Sequence, residues 1–285
     1  AVKKLHRSRI DQSNLTSFRA ECELHLSLRH PNILQFIGGS WNLEDVNVCA
    51  VLEFCERGTL TELLEKDPIL SWPKHKLPIA TGVARGMAHL HGQDPPVIHR
   101  DLKPDNVLLD IGFTPKLADF GVSREIDLDK TMEVAGTPAY TAPEMLRHER
   151  YDALVDVWSF GCVLECLWTH KQVYSSKLHP GVLEPGAHPR GLMGLIEDDL
   201  LRPRVERGCF LAPLVAACCD KDPEQRPSFE AIVQQLSDPA LAAAAWREAA
   251  GLPRATMPPE PQGRLDRKST RLNSSHANIS YAVFC

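Results

Sequence analysis

No apolar run in this 285-residue chain approaches the ~18 residues that a membrane span requires. The two most apolar stretches, 157–167 and 210–219, are broken by Glu165 and Pro213 and read as buried helices. A basic excess is missing too. The chain has 32 Lys and Arg against 37 Asp and Glu, a net charge of −5, which argues against the basic face of a duplex nucleic-acid binder. No C-x-x-C pair occurs among the nine cysteines. Cys162 and Cys166 lie one helical turn apart, and Cys218 and Cys219 are adjacent. Neither spacing is a disulfide framework or a zinc site, so free thiols in a reducing, cytoplasmic compartment are expected. Internal repeats are absent. The opening residues, AVKKLHRSR, hold neither an initiator Met nor an apolar signal region. They read as an internal fragment that enters in the middle of an element.

What is present suits a globular chain. Hydrophobic residues make up 43% and charged residues 24%, enough for a proper core, and the length fits two domains or one large two-lobed one. Residues 1–55 mix short strand-like runs with one helix. Residues 1–5 read as the end of a strand. Phe18, Cys22, Leu24 and Leu28 have helical spacing, and His30-Pro31 stops that helix, because the residue before proline disfavours the helical region. Residues 48–54 read as a buried strand. After Gly58 the pattern turns helical: 60–64, 74–91, 156–168, 210–219 and 228–236. A strand-rich part followed by a larger helical part predicts an α+β protein with two lobes. From 238 to 265 the composition turns to Ala and then Pro, which predicts a linker or tail. Residues 266–285, DRKSTRLNSSHANISYAVFC, resemble the translation of a sequencing-library adapter and carry no expected function.

The decisive segment is IHRDLKPDNVLLDIGFTPKLADF, beginning at Ile98. His99-Arg100-Asp101-Leu102-Lys103-Pro104-Asp105-Asn106 and Asp119-Phe120-Gly121 together resemble the catalytic loop and metal-binding signature of the protein kinases. The spacing has a physical reason. Residues 107–109 and 116–118 are short apolar strands with turn material between them. A hairpin folds its ends together, so Asn106 entering it and Asp119 leaving it can offer oxygens to one Mg²⁺. Asp101 is placed to accept or orient a substrate hydroxyl proton, and Lys103 to stabilise charge on the transferring phosphoryl group.

The resemblance covers about residues 1–237: a partial N-lobe and hinge over 1–55 and a mainly helical C-lobe over 56–237. It implies a two-lobed protein-kinase-like fold that transfers the γ-phosphoryl of ATP to a Ser or Thr hydroxyl of a protein substrate. Lys3, with Lys4 the weaker candidate, resembles the lysine that holds the α- and β-phosphates. Glu21, with Glu23 as rival, resembles its helix partner. Leu52, Glu53 and Cys55 resemble the hinge around adenine. Glu144, in Ala142-Pro143-Glu144, and Arg226 are implied as a buried pair, Asp156 as the brace of the catalytic loop, and His99 as a packed core histidine. RHPNIL, LEFCERGTL and DPEQRPSFEAIVQQL are similar to the tyrosine-kinase-like group, while Lys103 and Gly136-Thr137-Pro138 point to Ser/Thr specificity.

Two strands with a glycine-rich lid are expected before Lys3, so the fragment as given is expected to be weakly active or inactive. His25 stands where the family packs an apolar residue in a stack with Phe36, His99 and Phe120, and packing as a neutral imidazole is expected. Thr131 is the expected phosphosite of the activation segment, with Glu133 as a rival partner for Arg100. The open alternatives are a pseudokinase acting as an interaction module and a kinase of dual Ser/Thr/Tyr specificity.

Overall fold

The computed structural model describes residues 1–4, 12–42, 47–119, 124–125, 137–175, 177–181 and 190–251. Its first part is a three-stranded antiparallel sheet in the order β1-β3-β2, built from β1 (Val2–Lys4), β2 (Phe36–Asn42) and β3 (Asn47–Leu52). Strand side chains alternate between faces, so Val48 and Ala50 point together from β3 into a small core with Phe36. The helix α1 (Gln12–Ser27) supplies Phe18 and Cys22 to that core, one turn apart. It ends before His30-Pro31, as the sequence predicts. The strand expected over 48–54 stops at Leu52, and Phe54 is 67% exposed. The chain leaves the sheet there: Glu53 N–H donates to Gln35 O (2.9 Å), and Gly58 N–H closes a turn on Cys55 O (3.2 Å) with φ 71°.

The second part is helical around one large core. Helix α2 (Leu60–Lys66) starts at Thr59, whose hydroxyl accepts from Glu62 N–H at 3.1 Å. That satisfies one of the orphan donors of a helix start. A π turn over Trp72–Lys76 leads into α3 (Leu77–His91), where the sequence predicts a continuous helix. Small residues on α3 let the chain approach closely. A Cβ on Gly86 would lie 2.7 Å from Leu117 Cδ1 and 2.9 Å from the Asn32 carbonyl oxygen. Next come β4 (Val97–Ile98), the hairpin β5 (Val107–Leu109) and β6 (Pro115–Leu117), and β7 (Arg124–Glu125), which pairs with β4. After α4 (Pro143–Leu146), α5 (Leu154–Thr169) runs through the core with all of its residues from Val155 to Leu167 buried. Helices α6 (Gly191–Glu197), α7 (Ala212–Cys218) and α8 (Phe229–Leu236) complete this part. A small cluster of Leu34, Cys55 and Ala118 forms a separate core of its own.

One expectation is corrected here. Residues 239–249, read from composition as linker or tail, form the helix α9 (Pro239–Ala249). Asp238 accepts from Ala240 N–H at 2.8 Å, Pro239 sits at the first helical position, and the alanine run has the highest intrinsic helix propensity. Ala245 is fully buried, and α9 packs against the Trp72–Lys76 turn and α8. Residues 252–285, including the adapter-like end, lie outside the described residues.

The expected ion pair between α4 and the segment before α8 is present. Arg226 Nη1 and Nη2 donate to Glu144 Oε1 and Oε2 at 2.5 and 2.9 Å, with both side chains buried. Removing one partner strands a buried charge, so Glu144→Ala is expected to cost about 3–5 kcal/mol in urea unfolding. The double variant Glu144→Leu/Arg226→Met should recover much of that loss. A single variant within 1 kcal/mol of the parent would contradict this reading.

Candidate active site

The site begins with a buried carboxylate. Asp156, in the first turn of α5, has no exposed surface. It accepts from the backbone N–H of His99 and of Arg100, both at 2.8 Å, and pairs with His91 Nε2 at 2.9 Å. Burial alone would raise its pKa, but the His91 hydrogen bond and charge, with His99, outweigh it and hold the carboxyl below its usual range. Arg100 is thereby kept at φ 64°, a left-handed conformation uncommon for a non-glycine residue. His99 donates from Nε2 to Ala118 O (3.2 Å) and accepts at Nδ1 from Asp101 N–H (3.4 Å), so one neutral tautomer satisfies both contacts.

Asp101 follows, and both of its oxygens are engaged. Oδ1 accepts from Thr137 N–H (2.8 Å) and Thr137 hydroxyl (3.0 Å); Oδ2 accepts from Lys103 Nζ (2.8 Å) and Asn106 Nδ2 (2.9 Å). Lys103 Nζ also donates to the Thr137 hydroxyl at 2.5 Å, so that hydroxyl receives from Lys103 and gives to Asp101. In the sequence Thr137 stands out only as part of Gly136-Thr137-Pro138. Its contact with Asp101 spans 36 positions, and no local spacing announces it.

The hairpin behaves as the spacing predicts. Ala118 N–H donates to Asn106 O at 2.9 Å, which brings the residue before Asp119 against Asn106. The same hairpin is tied to the chain entering the sheet, through Leu34 N–H to Leu117 O (2.9 Å) and Leu117 N–H to Asn32 O (2.9 Å). Asn106 is buried and spends its amide N–H groups on the carbonyl and carboxylate of Asp101. Asp119 has φ 64° and a side chain 53% exposed.

Of the two lysines and two glutamates considered, Lys3 and Glu21 meet. Lys3 Nζ lies 2.7 Å from Glu21 Oε1 and 3.1 Å from Asp119 Oδ1. Glu23 is engaged instead with Arg19 on the outer face of α1 at 2.8 Å. Burial pulls the Lys3 pKa down, but Glu21 and Asp119 together outweigh it and hold the ammonium above its usual value. In the hinge segment, Leu52 N–H donates to Ala1 O (2.8 Å), Glu53 Oε1 pairs with Lys116 Nζ (2.7 Å), and Cys55 is buried. Burial first, then the charge of Glu53, pushes the Cys55 thiol up to about 11. His25 is 4% exposed, and its pKa is lowered to about 4 by burial first, then by the charges of Lys3 and His99. It is therefore a neutral packed group at pH 7. Phe120, Thr131 and Glu133 lie outside the described residues.

Comparison with known proteins points to one family. A family model for the protein kinase domain matches residues 1–236. The chain is 34% identical over 240 residues to a putative serine/threonine-protein kinase/receptor of Acanthamoeba polyphaga mimivirus, an overlap of 83% of this chain and 14% of that protein. It is 38% identical over 247 residues to a probable serine/threonine-protein kinase of Dictyostelium discoideum, covering 83% and 17%. A second such kinase from Dictyostelium is 35% identical over 242 residues, covering 83% and 33%. The chain thus spans a third or less of the length of these curated relatives.

His25 generates a pH dependence of known sign. Its ordinary value is 6.5 and its folded value about 4, so between those pH values the unfolded chain binds the proton and the folded chain does not. Its contribution to stability is present above pH 6.5 and is lost as pH falls towards 4. Urea unfolding of the parent and of His25→Leu at several pH values should show a shallower fall for the variant in that window. Parallel curves would overturn the assignment.

Proposed function

The chain belongs to the protein kinase family, with serine/threonine protein kinases as its relatives, and from that premise we propose how its residues divide the work. In this reading Asp101 orients the acceptor hydroxyl and receives its proton. The new bond joins the hydroxyl oxygen to the γ-phosphorus of ATP, and the bond from that phosphorus to ADP breaks. The observation that carries the proposal is the Asp101 carboxylate, fixed by Thr137, Lys103 and Asn106. Preorganisation of this kind costs no rearrangement during the reaction. Lys103, 2.8 Å from that carboxylate, carries the positive charge next to it and is assigned to the transferring phosphoryl group.

Lys3 is assigned to the α- and β-phosphates, with Glu21 holding it in place as a positioning residue. The 2.7 Å contact supports this, because an ammonium steered by one carboxylate has a defined direction. Leu52, Glu53 and Cys55 are assigned to the adenine, beside the small apolar cluster of Leu34, Cys55 and Ala118.

The donor set fits a divalent ion of the magnesium type. Asn106 and Asp119 offer hard oxygens, and Asn106 has its amide N–H groups already committed to Asp101. Magnesium takes one or two protein carboxylate-class ligands and completes its shell with phosphate oxygens and water. Bound there, the ion would neutralise charge on the phosphates. Asp119 would then divide its carboxylate between the ion and Lys3.

The partner is a protein with a Ser or Thr acceptor. An intracellular, reducing setting is proposed on the free thiols of all eight cysteines among the described residues. No helix among the described residues is long and apolar enough to cross a membrane.

The test uses the full-length protein with Asp101→Asn and Asp119→Asn. Each should lower the rate of phosphate transfer at least a hundredfold while near-UV circular dichroism stays unchanged. Asp119→Asn should also raise the metal concentration needed for half-maximal rate, and Asp101→Asn should not. Wild-type turnover in both variants would refute the site. A folded parent that transfers no phosphate would instead favour a scaffold role.

A further inference from the structure

Two half-buried histidines meet away from the site. His30 lies in the segment between α1 and β2, and His89 on α3. Their rings stack with centroids 4.9 Å apart and planes 18° from parallel. Each ring accepts a hydrogen bond in this arrangement. His30 Nδ1 accepts from Asn32 N–H at 3.1 Å, which puts the proton of the neutral ring on Nε2. His89 Nε2 faces the Gln93 amide nitrogen at 3.4 Å, and the same amide donates to the His89 carbonyl at 2.7 Å. An imidazole nitrogen accepts only while it carries no proton. A proton added to either ring therefore removes an acceptor and sets a charge against the other ring. Arg85, one turn before His89 on α3, adds a fixed positive charge that acts on His30. Among the described residues no carboxylate acts on His30 to offset it. On the other elements close by, Lys116 of the hairpin is turned to Glu53, and Arg29 is exposed.

The stack sits on a joint between three elements. Asn32 is buried, its Nδ2 donates to Pro115 O at 3.0 Å, and its carbonyl accepts from Leu117 N–H at 2.9 Å. Leu34 N–H donates to Leu117 O at 2.9 Å. From the other side α3 leaves no slack: a Cβ on Gly82 would lie 2.8 Å from Asn32 Nδ2. The segment from His30 to Leu34 is thus held between α3 and the hairpin that ends at Asp119. We propose that the stacked His30–His89 pair is a pH-sensitive latch on this joint. With both rings neutral it closes the segment onto α3; a proton on either ring opens it and loosens the hold on Asn32 and the hairpin. Burial first, then the charges of His89 and Arg85, lowers the His30 pKa from its ordinary 6.5. The closed form is therefore kept at pH 7, and its stabilising contribution is lost as pH falls below 6.5 towards the folded value. In the proposed phosphate transfer an open latch would also unsettle Asp119. That consequence rests on the kinase reading; the latch itself does not.

The experiment reads the joint directly. Hydrogen exchange at the amides of Asn32, Leu34 and Leu117 is followed in the full-length protein by mass spectrometry with electron-transfer fragmentation. Rates are corrected for the intrinsic pH dependence of exchange, so that protection alone is compared. Between about pH 7.5 and 5.5, protection of these amides in the parent should fall about tenfold, the scale of one lost buried hydrogen bond. His30→Asn keeps an acceptor for the N–H two residues on, as an Asn side chain does in a turn, and cannot titrate. Its protection should stay level over the same range. His89→Phe keeps a stacked ring without a charge, and its protection should fall less than that of the parent. His25 is present in all three proteins, so its own titration cancels in the comparison. A parent whose protection does not change, or a His30→Asn protein that falls as steeply as the parent, would overturn the latch. If protection falls in acid while the parent transfers no phosphate at any pH, the latch stands and the kinase reading fails. Transfer with level protection would do the reverse.

Discussion

The two hydrogen bonds from the His99 and Arg100 backbone to the buried Asp156 carboxylate hold the rest of the site in place. Without them two buried N–H donors would lie unsatisfied beside a residue in left-handed conformation, a combination that costs several kcal/mol. Asp156 cannot drift, because α5 is buried along nearly its whole length and His91 pairs with the same carboxylate oxygen that accepts from His99. The position of Asp101 is therefore inherited from the helical core. It is passed on through Thr137, Lys103 and Asn106, and through His99 to the hairpin that ends at Asp119.

The Lys3 side of the site is held differently. Lys3 comes from the edge of the small sheet, Glu21 from α1 and Asp119 from the end of the hairpin, and their contacts are partly exposed: Lys3 is 42% and Asp119 53% exposed. Ion pairs open to solvent are weak, typically ~0–1 kcal/mol. The Asp101 centre is thus locked by buried hydrogen bonds, while the Lys3 cluster is held by adjustable ones. That division suits the proposed roles, in which one group orients a hydroxyl and another admits and releases a nucleotide.

His25 belongs to the adjustable side. It packs near the Lys3 cluster, where a charged imidazole would repel Lys3. Burial keeps it neutral, so a polar residue does the work of an apolar one at pH 7.

Much of this was legible in the residue order. The hairpin ending at Asp119 and the main helices rest on contacts between residues close in sequence, and local spacing encodes such contacts directly; the loop from His99 to Asn106 was legible by its resemblance to a known family, although Asp156 and Thr137, which hold it, lie 56 and 36 positions away. The α+β division followed from where strand-like runs give way to helical ones. Tertiary structure alone decided the rest. Lys3 reaches Asp119 across 116 positions, and Thr137 reaches Lys103 across 34. The helix at Pro239–Ala249 exists because Ala245 finds a buried surface that composition cannot reveal. Spacing along a chain says which residues can share a turn or a hairpin. Which distant side chains meet depends on how the helices and the sheet pack, and that is settled by the summed burial of the core.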